Sequence, residues 1–190
     1  MTDFDGVTIV FVPGLRDHVA DHWQTHLAAQ IPGSVTVPRL AEGRLSRAAQ
    51  VAALDATLDA IDGDVVLAAH SAGALTVVHW AMAPTRPIRG ALLATPADVE
   101  TPLPAGYPTF EELGDNGWLP MPRARLPFPA IVVASRNDPL ADYGKVAELA
   151  GAWGAELFDA GEVGHLNPSA GYGPWPQAQN LLARVIALGG

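Results

Sequence analysis

A chain of 190 residues, 49% of them apolar, suffices for one domain with a sizeable core. Its formal charge of -9 argues against a nucleic-acid partner, which needs a basic face to neutralise phosphates. With no cysteine there can be no disulfide, thiol nucleophile or cysteine-based metal site. No run of about eighteen apolar residues occurs and the start is acidic, so neither a membrane span nor a signal peptide is expected, and the cytoplasm is the expected location.

The first β-branched run, 7-VTIVFV-12, predicts a strand. In the loop that follows, 12-VPGLRDH-18, Gly14 permits a close backbone approach. The N–H of Leu15 is therefore a candidate oxyanion donor, with Gly14 beside it; a plain Pro-Gly turn is the simpler alternative. A helix over about 19–30 comes next, started by Asp17 or His18. His18, His22 and His26 recur every four residues and share one helix face. No glutamate follows in the HExxH manner, so the spacing predicts an amphipathic face, with some members such as His18 near a pocket, and no metal site. A short strand, 34-SVTV-37, and a helix over 46–61 led by Ser46 complete this part.

The run 64-DVVLAA-69 is apolar on consecutive positions, as in a parallel strand covered on both faces. It leads through His70 and Ser71 into a helix over 72–82. A serine at such a strand–turn–helix junction is held on a strained backbone with its hydroxyl exposed above the sheet. The positions two before and two after it must be small; here they are Ala69 and Gly73. The first free N–H of the helix, at Ala72, could hold an oxyanion. The plainer alternative is a serine that merely caps the helix. His70, next to the serine, is expected to point away to the other side of the junction, and His79 to be a packing or surface residue.

A strand over 88–94 precedes the segment that breaks the rhythm, 96–129, which holds eight of the seventeen prolines and shows no clear helix or strand pattern. It starts at the carboxyl edge of the sheet, where open α/β sheets bind ligands, and is expected as a lid or pocket wall, with Leu103, Phe110 and Trp118 as apolar lining. After the strand 130–135, Asp138 in 134-ASRNDPL-140 is the favoured acid; Asp98 in 94-ATPADVE-100 is its rival, and a turn aspartate is the simpler alternative for Asp138. A helix over 141–151 and a strand over 155–160 lead to 161-GEVGHLNPSAG-171, whose His165 is placed to reach back over the sheet edge. A last helix spans about 175–188.

Strand and helix thus alternate, which predicts a doubly wound α/β fold: about six mostly parallel strands with helices on both faces, in three layers. A serine hydroxyl needs a base to take its proton, and the base needs an acid to hold its tautomer. Ser71, Asp138 and His165 supply these roles in the chain order of α/β-hydrolases. The lone Gly-x-Gly, in 171-GYGPWP-176, runs into prolines, so no nucleotide cofactor is expected.

The ordered set 12-VPG-14, 22-HWQ-24, 70-HSAGA-74, 134-ASRNDP-139, 164-GHLN-167 and 172-YGPWP-176 resembles the small serine-hydrolase family of the retinoblastoma-binding serine hydrolase and bacterial YdeN-like proteins, over nearly the whole chain. The resemblance implies a compact α/β-hydrolase fold with Ser71, Asp138 and His165 as triad. It also implies tolerance of an imperfect nucleophile turn such as that at Ala69. The expectation is a cofactor-free serine hydrolase cleaving small carboxylic esters or thioesters through an acyl-enzyme, with no nucleic-acid or membrane partner. Amide hydrolysis by the same triad, or a non-catalytic interaction protein on this fold, is the alternative.

Overall fold

The computed structural model describes residues 4, 6–16 and 19–190. Asp17 and His18, named above as a helix start and a pocket residue, lie outside the described residues. Six strands form one all-parallel sheet: β1 (Val7–Val12), β2 (Val35–Thr36), β3 (Asp64–His70), β4 (Gly90–Ala94), β5 (Ala130–Ala134) and β6 (Glu156–Asp159). Their order across the sheet is β2-β1-β3-β4-β5-β6. Strand β2 keeps only two of the four residues expected, between the turn at Gly33 and the ring of Pro38, and closes one edge.

The helices are α1 (Trp23–Ala28), α2 (Arg47–Asp59), α3 (Ala72–Trp80), α4 (Phe110–Asp115), α5 (Tyr143–Trp153) and α6 (Gln177–Leu188). Along each central strand, successive side chains enter opposite cores. Val65, Leu67 and Ala69 join Leu54 and Leu58 of α2, Leu75 and Val78 of α3 and Leu149 and Trp153 of α5. Val66 and Ala68 join Trp23 and Leu27 of α1 and Leu181, Leu182 and Val185 of α6. Consecutive apolar residues in β3, β4 and β5 follow from this double coverage, each fully buried large side chain contributing about 1.5–3 kcal/mol.

Helix α1 and the proline-rich segment also differ from expectation. Helix α1 starts four residues late, because the Nδ1 of His22 accepts the N–H of Gln24 and caps it there. Inside the proline-rich 96–129 segment a short helix does form: Thr109 and Glu112 close a reciprocal capping box at the start of α4. That T-x-x-E signature was present in the chain, outweighed by the surrounding prolines.

No helix among the described residues is long and apolar enough to cross a membrane. The strand order reverses direction at β1 and β3: the chain moves from β1 outward to β2, then crosses back to β3 on the other side. The carboxyl ends of β1 and β3 therefore open a crevice, the place where such sheets hold ligands.

Candidate active site

Ser71 stands at that crevice. Its backbone has φ 57° and ψ -124°, on the left-handed side that an L side chain rarely adopts. The strain is compensated on either side, since the Ser71 N–H donates to Ala94 O (3.0 Å) and its carbonyl accepts from Ala74 N (3.0 Å). Its side chain makes no capping bond to α3. The hydroxyl instead meets the Nε2 of His165 at 2.8 Å.

The two small positions differ in how strictly they are small. A Cβ on Gly73 would collide with the carbonyl oxygen of Val12 and stand 2.5 Å from that of Pro13, so α3 can cross β1 only with glycine here. Ala69 points away, into the core against α2 and α3, where its methyl is fully buried. Gly14 brings the loop after β1 against the serine: a Cβ there would lie 3.2 Å from Ser71 Cβ. Leu15 and Ala72 both line the same cavity as Ser71.

His165 follows β6 on a loop turned by Gly164 (φ 56°) and Leu166 (φ 46°), the latter wholly buried. The Nδ1 of His165 lies 2.8 Å and 3.0 Å from the two oxygens of Asp138. Because a carboxylate only accepts, Nδ1 carries the proton, and Nε2 is left to accept from the Ser71 hydroxyl. Asp138 and His165 are almost entirely withdrawn from solvent, 2% and 5% exposed. Asp138 also accepts the N–H of Leu140 (2.9 Å), so it is both a turn aspartate and the partner of His165. Its rival Asp98 is buried in a turn of its own, accepting from Glu100 N (3.0 Å) and Thr101 Oγ1 (2.8 Å).

Beside Thr95, whose hydroxyl donates to the His165 carbonyl (3.4 Å), three further residues hold the histidine and were not singled out for this from the chain. Ser135 Oγ accepts the N–H of Val163 (3.2 Å), and Asn137 Oδ1 accepts that of Gly164 (2.7 Å). Polar side chains packed directly after the strand that bears Asp138 were the available signal. The third is His70. It was expected to point away from the site; instead its Nε2 donates to the carbonyl of His165 (2.8 Å), and its ring packs 5.0 Å from that of His165 and 4.5 Å from that of His22. A strand residue faces the opposite side from its neighbours, but the returning loop passes over both. Burial, then the neighbouring His165 and His22, hold His70 well below the usual histidine range.

The cavity above Ser71 measures about 250 Å³. Leu103 and Trp118 line it as expected, and the indole N–H of Trp118 is anchored on Leu45 O at 2.6 Å. Phe110 does not line it: it opens α4 and is half exposed, while Leu113 and Tyr107 occupy the wall instead. The reason is the cap at Thr109, which sets α4 so that Leu113 turns inward. His22 and Gln24 line the cavity as well, whereas His26 is paired with Asp21 (2.7 Å) away from it. No group of three His, Asp or Glu side chains suited to a metal ion occurs among the described residues.

A family model described as serine hydrolase matches residues 9–184. Among solved structures, a YdeN-like hydrolase from Pectobacterium atrosepticum is 31% identical, over 96% of this chain and 90% of its own, with a TM-score of 0.78. The ydeN gene product of Bacillus subtilis is 15% identical over 95% of this chain and 98% of its own, with a TM-score of 0.72. The RedJ thioesterase of the prodiginine biosynthetic pathway in Streptomyces coelicolor shares the fold at 16% identity, over 95% of this chain and 89% of its own, with a TM-score of 0.61. No curated protein sequence matches the chain.

Proposed function

Because the chain belongs to the serine hydrolase family, we propose that it cleaves carboxylic esters or thioesters of short to medium acyl length, with Ser71 as nucleophile, His165 as base and Asp138 as its orienting acid. One observation carries this reading: a serine that leaves its own helix uncapped gives its hydroxyl to a buried histidine at 2.8 Å, itself held by a buried carboxylate at 2.8 Å.

Ser71 Oγ attacks the acyl carbon as His165 Nε2 takes its proton, and Asp138 stabilises the imidazolium that forms. The N–H groups of Leu15 and Ala72 receive the oxyanion, aided by the positive end of α3. Collapse of this intermediate breaks the bond to the alcohol or thiol, which leaves with the proton from His165. Water, deprotonated by the same nitrogen, then attacks the acyl-enzyme and frees the acid. The acyl chain lies against Leu103, Leu113 and Trp118, with the 96–129 segment as pocket wall.

Labelling with a fluorophosphonate probe tests this directly. The wild type is expected to label at Ser71 and to hydrolyse short p-nitrophenyl esters, and Ser71→Ala to do neither. A folded wild-type protein that stays unlabelled would leave a non-catalytic interaction protein as the reading. Amide substrates run in parallel would expose a peptidase-type preference.

A further inference from the structure

Among the described residues that line the cavity over Ser71, Arg16 is the one that carries a permanent charge. That is notable in a chain of net charge -9. Four of the other nine arginines are matched to carboxylates: Arg89 to Asp64, Arg123 to Glu100, Arg136 to Asp159 and Arg184 to Glu156. Among the described residues, Arg16 has no carboxylate partner. Its guanidinium carbon lies 4.9 Å from the centroid of the Tyr107 ring.

This contact joins the loop after β1 to the 96–129 segment on the other side of the mouth. A guanidinium resting on a ring uses its face, and leaves its in-plane N–H donors free for a carboxylate. Arg16 also follows Leu15 directly, so its charge is carried next to the backbone proposed to receive the oxyanion. Much of the cavity wall is apolar and includes Leu75, Val99, Leu103 and Trp118.

We infer that Arg16 is a specificity residue, and that the substrate is an amphiphilic ester or thioester bearing an anionic group, a carboxylate or its equivalent, in addition to the scissile bond. This rests on the hydrolase reading above. The chain as a whole is acidic and repels anions at long range, so a local cation in the cavity lining, with no carboxylate partner among the described residues, is what distinguishes an anionic substrate from a neutral one. The anion could stand on the acyl chain or on the leaving group, and the test separates these.

Two matched pairs of substrates serve. The acyl pair is p-nitrophenyl hexanoate against the mono-p-nitrophenyl ester of adipate. The leaving-group pair is the butyryl ester of methyl 4-hydroxybenzoate against that of 4-hydroxybenzoate. The quantity read is the ratio of kcat/KM, anionic over neutral, in the wild type relative to Arg16→Gln, which cancels the intrinsic reactivity of each ester. On at least one pair this relative ratio is expected to be about tenfold, carried mainly by KM. Arg16→Lys should recover part of it, and salt at about 0.5 M should shrink it.

Ser71-dependent hydrolysis with a relative ratio near one on both pairs overturns the inference and leaves the hydrolase reading standing. Absence of both hydrolysis and fluorophosphonate labelling in a folded wild type overturns both together. Melting curves confirm that the Arg16 variants are folded.

Discussion

Ser71 sits where a capping serine would, yet its hydroxyl turns to His165 and not to its helix. The same discrimination applies to the two buried carboxylates. Asp98 satisfies its oxygens within a local turn, whereas Asp138 adds the His165 ring to one. An amide at position 138 can no longer serve as an anion and can present a donor to Nδ1, which favours the wrong histidine tautomer. Asp138→Asn is therefore expected to lower kcat by on the order of 10⁴-fold with little change in melting temperature. Asp98→Asn should keep most of the activity and cost about 1 kcal/mol of stability. Steady-state kinetics beside denaturant melts distinguish the two; similar kinetic losses would remove the distinction drawn here.

At the scale of the element, the turn between β3 and α3 depends on glycine on one side only. Gly73 lies where α3 passes over the end of β1, and a methyl there meets backbone oxygens that cannot move aside alone. Gly73→Ala is expected to destabilise the fold by about 3 kcal/mol and to lower labelling of Ser71. Ala69 is different, because its methyl is part of the core between β3 and the helices. Restoring the more familiar motif with Ala69→Gly should cost about 1 kcal/mol through backbone freedom and lost packing, and give no gain in kcat. Paired melts and ester kinetics on the two variants check both statements.

Over the whole molecule, two partly or wholly buried histidines tie stability to pH. Burial is the leading cause in each case; His70 is held well below 6.5, and His79, helped by the Arg47 guanidinium and opposed by a hydrogen bond to the Trp118 backbone, falls to about 4. The unfolded chain takes up protons at these sites near pH 6.5, where the folded chain does not. Their contribution is thus complete above about pH 6.5 and is lost as the pH falls toward the folded values. The melting temperature is expected to drop between pH 7 and pH 4, with a shallower drop in His79→Gln. A drop in His79→Gln as steep as that of the wild type would show that His79 has no part in it.

The chain by itself determined the alternation of strands and helices and the parallel sheet, because consecutive apolar residues in β3, β4 and β5 can be buried only between two helical layers. It also singled out Ser71 and His165, each beside a strand end with small neighbours. These are local features, carried by composition and period. Only the tertiary structure set the Asp138 carboxylate, and not that of Asp98, against the His165 ring, brought Ser135, Asn137 and His70 to the His165 loop, and put Leu113 and Tyr107 in the wall in place of Phe110. Each of those depends on which loops meet at the carboxyl edge of the sheet and how they fold back on one another. Contacts between residues 27 to 95 positions apart leave no period in the sequence from which they could be read.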